Sequence, residues 1–171
     1  FGFDITDKLK SGENLLAARI DNSTKYVEKD TGTAFQWNVN DFAANYGGIP
    51  KNVRLHVTDR LYQTLPLYSN LGTTGVYVHA TDFDIKGRSA KVTAEAQVRN
   101  EYPGPKKFSY EVTITDPDGN VVQSIQGGEQ TITAGETKTV SAGAVVSNLN
   151  FWSWGYGYLY TVKTTLTDSR N

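Results

Sequence analysis

Apolar and polar residues alternate with period two along most of the chain, and that pattern predicts strands. Phe1, Phe3 and Ile5 alternate with polar or small neighbours. After a Gly-Glu-Asn turn, Leu15, Ala17 and Arg19 alternate with Leu16, Ala18 and Ile20. Val53, Leu55 and Val57 share one face, with Arg54 and His56 opposite. Tyr77 and His79 alternate with Val76, Val78 and Ala80. Val92, Ala94, Ala96 and Val98 face one way, and Lys91, Thr93, Glu95, Gln97 and Arg99 the other. Phe108, Tyr110, Val112 and Ile114 repeat the pattern, as do Tyr160, Val162, Thr164 and Leu166 near the end. Asp116-Pro117-Asp118-Gly119-Asn120 predicts a turn, with Pro pre-setting φ, Gly supplying a positive φ, and Val121 and Val122 opening the return strand. Ala134-Gly135-Glu136 predicts another. The stretch Asp4 to Gly12 predicts one helical turn, capped by Thr6 and stopped by Gly12. No stretch carries the 3.6-residue period of a long amphipathic helix.

Short strands with turns between them, and no βαβ spacing, define an all-β chain of antiparallel sandwiches. From Val76 to Asp168, about seven strands fall in about ninety residues, the size of an immunoglobulin-like β-sandwich. The cysteine pair and buried-Trp spacing of an antibody domain are missing, so the expectation concerns architecture alone. Residues 1–60 hold at most about four strands, too few to close a sandwich of their own. The expected domains are therefore 1–60 and 61–171, joined by a connector at about 59–74 that contains Pro66, Asn70 and Gly72.

Composition changes this picture mainly by exclusion. The net charge of −1 gives no field to attract nucleic acid or an anionic membrane surface. No apolar run approaches the ~18 residues that span a bilayer. The absence of cysteine removes structural disulfides, thiol nucleophiles and thiolate metal sites together, without fixing the compartment. His56 and His79 stand apart on strand-like segments and read as strand-face residues rather than metal ligands. No Gly-rich phosphate loop, nucleophile elbow or HExxH motif is present, so neither cofactor nor metal is expected. Asp82-Phe83-Asp84 reads as a strand end and Asp116-Pro117-Asp118 as a turn, so no catalytic carboxylate pair is assigned. The ten tyrosines among the 12% aromatics suit half-buried sheet faces, where a ring packs and a hydroxyl stays wet.

Four segments, in order along the chain, carry a family likeness. They are Phe1 to Ser23; Phe35 to Val53, with its Gly47-Gly48-Ile49 turn; Tyr62 to Leu67; and Phe151-Trp152-Ser153-Trp154 with Leu159-Tyr160-Thr161-Val162. Jointly they resemble glycoside hydrolase family 2, the β-galactosidase, β-mannosidase and β-glucuronidase family. In that family a Pro precedes the Leu-Tyr pair, where Gly157 and Tyr158 stand here.

The resemblance implies that residues 1–60 are the second half of a galactose-binding-like jelly roll and that 61–171 form the immunoglobulin-like domain following it. The family's catalytic barrel, with its two glutamates, would lie outside this chain and be its partner within one polypeptide. The resemblance also implies a parent enzyme that hydrolyses terminal β-glycosides, expected to be β-galactosides, with retention through a covalent intermediate. It places a sugar-contacting carboxylate near Asp41, with Asn40, Asn38 and Trp37 as neighbouring candidates. A carboxylate suits that task because it accepts hydrogen bonds from two adjacent hydroxyls. The residues alone favour Asp41 as a turn-capping Asx residue, and only the resemblance brings the sugar-contacting role level with it. Trp152 is expected to pack at a sandwich edge or against the neighbouring barrel.

A parent in a bacterial periplasm or outside the cell is expected, as is a dimer formed through the truncated N-terminal half. The alternative function is a free-standing carbohydrate-binding or adhesion module of tandem sandwiches, which would show a complete first sandwich and an exposed aromatic row.

Overall fold

The computed structural model describes residues 2–20, 27, 32, 48–49, 51–66 and 71–169. The chain divides into two compact units, Ile5–Val57 and Thr58–Asn171, the second joined by the first four residues. Among the described residues there is no α-helix, and the strands are β1 (Leu61–Gln63), β2 (Val76–Asp84), β3 (Ser89–Asn100), β4 (Lys106–Thr115), β5 (Val121–Ile132), β6 (Thr137–Val146) and β7 (Thr161–Asp168). The fold is all-β.

The second unit is a sandwich of two antiparallel sheets. In the first, β3 is central. β6 pairs with it over Ala90–Arg99, while β2 and β1 lie end to end along its other side, against Ser89–Ala96 and Val98–Asn100. The second sheet has the order β5-β4-β7. The stretch expected as a connector therefore contributes a strand of its own, β1.

Alternation explains the core. Ala94, Ala96 and Val98 of β3, Phe108, Tyr110, Val112 and Ile114 of β4, and Val140, Ala142 and Val146 of β6 are buried, joined by Ile125, Ile132 and Leu149. Small residues sit where the large Tyr110 ring needs room. A Cβ at Gly127 would lie 2.6 Å from the Tyr110 ring, and the Tyr110 hydroxyl donates to the carbonyl of Ala94 at 3.2 Å. The Asp116 turn forms as expected, its carboxylate accepting from the backbone N–H of Asp118 and of Asn120, with Gly119 at φ 86°. Gly135 in the second turn has φ 70°. Lys106 is buried and donates to Asp168 at 3.1 Å, its ammonium 3.7 Å from the centre of the Tyr102 ring.

The unit Ile5–Val57 departs from the sequence expectation. Residues 2–20 contain one short 3₁₀ turn, Thr6–Lys8, and no strand. Thr6 opens that turn, and Ile5 holds the capping position without a side-chain hydrogen bond. Gly12 does adopt a positive φ, 88°. Val53, Leu55 and Val57 lie outside any strand, and they are exposed, as are Leu15, Leu16 and Ile20. An alternating pattern becomes a strand only when a neighbour supplies the hydrogen bonds and a facing layer covers the apolar side. Neither is present for these segments among the described residues.

Burial of Tyr110 pushes its phenol up to about 12, with the nearby Glu95 charge adding to the shift. Burial likewise pushes Tyr62 up to about 12, followed by its hydrogen bond to Glu101. An unfolded tyrosine ionises near 10, so these groups stabilise the fold fully below pH ~10 and lose that contribution as pH rises toward ~12. The expected result is alkaline unfolding in that window, with Tyr110→Phe flattening the pH dependence. Urea unfolding at several pH values between ~9 and ~12, with phenolate absorbance followed in parallel, checks it. An identical pH profile for the variant would be the contrary result.

Candidate functional site

The residues proposed from sequence to touch sugar, Asp41, Asn40, Asn38 and Trp37, lie outside the described residues. The concave feature that is described sits at one end of the sandwich, where the first residues of β7 and the turn between β2 and β3 come together. It is a recess of about 200 Å³, walled by Phe83, Phe151, Trp152, Tyr158 and Tyr160 over a floor that includes Ala90, Val92 and Ile114.

Local sequence builds this end. Asp84 closes the turn after β2 by accepting from the Gly87 N–H at 2.8 Å. Arg88 follows with φ 56°, and its guanidinium holds the segment before β7. Nε donates to the Leu149 carbonyl at 2.9 Å, while Nη2 donates to the Asn148 carbonyl at 3.1 Å and to Asn150 Oδ1 at 2.9 Å. The Asn150 N–H donates to the Tyr160 hydroxyl at 2.8 Å. Beyond it, Ser153 and Tyr156 exchange two backbone hydrogen bonds of 3.0 and 2.9 Å around Trp154 and Gly155, the glycine at φ 78°. Phe83 meets Phe151 edge-on at 6.0 Å, and Tyr158 lies 5.1 Å from Tyr160 and 6.1 Å from Tyr156.

Trp152 lies at the sandwich edge, in the wall of the recess, as one of its expected places. Trp152 is 63% exposed and Trp154 96%. Trp154 sits within the tight Ser153–Tyr156 turn beside Gly155. The Arg88 clamp joins groups some sixty residues apart, and no local pattern announced it. His79 lies on β2, stacked on Tyr77 at 5.3 Å, with Nδ1 shielded from solvent and lacking a hydrogen-bond partner. His56 is exposed and lies outside any strand.

The recess lining contains no carboxylate. Hydrogen bonds hold several carboxylates elsewhere below the ordinary range. Among them are Asp59, through the Leu61 N–H and then the Tyr102 hydroxyl; Asp116, through the Asn120 amide first; and Glu136, through the Thr133 N–H and then its hydroxyl. A general acid of a glycosidase needs the opposite shift. Among the described residues, no group of three or more His, Asp or Glu side chains is placed to hold a metal ion, and no helix is long and apolar enough to cross a membrane.

With this geometry in place, likeness to known proteins fixes the class. Residues 76–171 match the family model for glycosyl hydrolases family 2. A β-glucuronidase of Formosa agariphila is 35% identical over 99% of this chain and 17% of its own length. The solved structure of a β-glucuronidase from glycoside hydrolase family 2 aligns with a TM-score of 0.60 and 33% identity, covering 66% of this chain and 11% of that one. A Bacteroides uniformis β-glucuronidase shares the fold at a TM-score of 0.56 and 24% identity, over 65% of this chain and 13% of its own. The chain belongs to glycosyl hydrolases family 2 and spans less than a fifth of the length of these relatives. The expectation of β-galactoside specificity finds no support among them, since the curated relative is named a β-glucuronidase.

Proposed function

We propose that this chain is a noncatalytic portion of a family 2 β-glucuronidase, in which Thr58–Asn171 serve as interdomain scaffold and the segment around Asp41 supplies a sugar-contacting loop. The observation that carries the reading is the 35% identity, over 99% of the chain, to a protein named a β-glucuronidase. The carboxylates add chemical support. A retaining glycosidase brings two carboxyl groups to about 5–5.5 Å, one of them with a raised pKa. Here the shifted carboxylates are held ionised in turns and loops. The parent would hydrolyse terminal β-glucuronides with retention.

The test compares the purified chain with the full-length parent on aryl β-glucuronide, β-galactoside and β-mannoside. The chain is expected to turn over none of them, and the parent to prefer the glucuronide. A parent that prefers galactoside overturns the substrate. Turnover by the chain alone that vanishes on mutating one of its carboxylates overturns the noncatalytic assignment. Asp41→Ala in the parent is expected to lower kcat/KM by about 2–4 kcal/mol of transition-state stabilisation, roughly 30- to 1000-fold. An unchanged kcat/KM would make Asp41 a turn residue and move the test to Asn38 and Asn40.

A further inference from the structure

The contacts around Tyr102 join the two ends of the sandwich. The unit begins at Thr58, and Asp59 accepts from the Leu61 N–H at 3.0 Å and from the Tyr102 hydroxyl at 2.8 Å. At the other end Asp168, the last residue of β7, accepts from the Lys106 ammonium at 3.1 Å. The next residue, Ser169, donates its N–H to the Lys107 carbonyl at 3.2 Å. The Lys106 ammonium lies 3.7 Å from the centre of the Tyr102 ring. One side chain thus holds the entering segment by its hydroxyl and reaches the leaving strand by its ring face, by way of Lys106. The loop that carries it has little freedom to absorb a displacement. Pro103 and Pro105 fix two of its φ angles, and Asn100 grips it at the Tyr102 N–H and the Gly104 carbonyl, both at 3.0 Å.

We propose that Tyr102 is a relay between the two ends, so that loosening the end of β7 at Asp168 loosens the entering segment at Asp59, and the reverse. Two physical links make the path cooperative rather than a set of separate contacts. Lys106 is buried, and moving it off its partners would leave its charge uncompensated. An ammonium over the ring also draws electron density from the phenol, which makes the hydroxyl a better donor to Asp59. A second path runs in parallel. Thr164 Oγ1 on β7 donates to Gln63 Oε1 on β1 at 2.6 Å, and Gln63 Nε2 donates to the Thr164 carbonyl at 3.3 Å. Tyr102→Phe separates the two paths, because it keeps the ring beside Lys106, removes only the hydroxyl and leaves Gln63 and Thr164 in place. The inference uses contacts within Thr58–Asn171 alone, so it stands whatever the parent's substrate.

Hydrogen exchange of the 171-residue chain tests this at the Leu61 and Ser169 amides, with the buried Val112 of β4 as reference. Lys106→Met removes the charge, keeps an apolar stem and leaves no buried ion behind. It is expected to speed exchange at Ser169 and, through Tyr102, several-fold at Leu61, with Val112 unchanged. In the Tyr102→Phe background Leu61 already exchanges fast, and Lys106→Met is expected to add nothing there. Asp168→Asn, at a partly exposed side chain, is the milder variant and is expected to speed Leu61 only when the Tyr102 hydroxyl is present. An unchanged Leu61 rate on both substitutions overturns the proposal, because each end would then be held on its own. Equal acceleration at Leu61 with and without the hydroxyl also overturns it and moves the coupling to Gln63 and Thr164. Acceleration that extends to Val112 overturns it as well, since the loss would be one of global stability.

Discussion

Asn100→Ala is expected to remove about 3 kcal/mol of the sandwich's stability. Asn100 is fully buried at the end of β3. Its amide nitrogen reaches three carbonyls, those of Gly104 and Thr133 at 3.0 Å and of Ile132 at 3.3 Å, and its Oδ1 accepts from the Tyr102 N–H at 3.0 Å. With two hydrogens for three acceptors, the longest contact is shared. The same residue's backbone exchanges bonds with Glu136 and Gly135, so one side chain ties the loop after β3 to the turn between β5 and β6. Alanine keeps the backbone bonds and strands the other groups, each buried unmade bond costing ~1–3 kcal/mol. Urea unfolding of the chain checks this. A loss below ~1 kcal/mol with an unchanged m-value would show that water replaces the amide. Asn100→Asp is expected to be worse at neutral pH, because a carboxylate would face three carbonyl oxygens.

The sandwich was legible because most of its strands are long enough for the alternation to register. The alternating residues of β3 and β4 turn inward as the pattern predicts, and the Asp116 turn forms as its residues dictate. The same period-two signal at Leu15–Ile20 and Val53–Val57 is not realised. Alternation states which face would be buried but says nothing of whether a partner is present to bury it. β1 was hidden in an apparent connector because three residues carry too little periodicity to register. Asp41, Asn40, Asn38 and Trp37 stand on sequence resemblance alone.

Gly75→Ala is expected to destabilise the sandwich by roughly 2–4 kcal/mol, more than an exposed glycine substitution should. Gly75 has φ 67°, and a Cβ there would lie 2.6 Å from Pro66 Cα and N and 2.9 Å from the carbonyl carbon of Leu65. Those are backbone atoms, so relief requires the chain to move rather than a side chain to swing away. The left-handed conformation alone costs an alanine ~1–2 kcal/mol. The shift would then disturb a hydrogen-bonded knot. Gly75 N–H donates to Thr64 Oγ1 at 3.1 Å, Thr64 Oγ1 donates to Gln97 Oε1 at 2.9 Å, and the Gln97 N–H donates to the Gly75 carbonyl at 2.9 Å. This knot lets β1 and β2 share one side of β3, so its loss should loosen β1 first. Hydrogen exchange is expected to accelerate at Leu61–Gln63 while the amides of β4 stay protected. Gly104 provides the control, since a Cβ there meets open space and its φ lies outside the left-handed range. Alanine at Gly104 should be neutral, or stabilising by a few tenths of a kcal/mol through the unfolded chain. If Gly75→Ala matched Gly104→Ala in thermal unfolding, the close approach of Pro66 would be a contact the backbone relaxes without cost, and the knot would not be what seats β1.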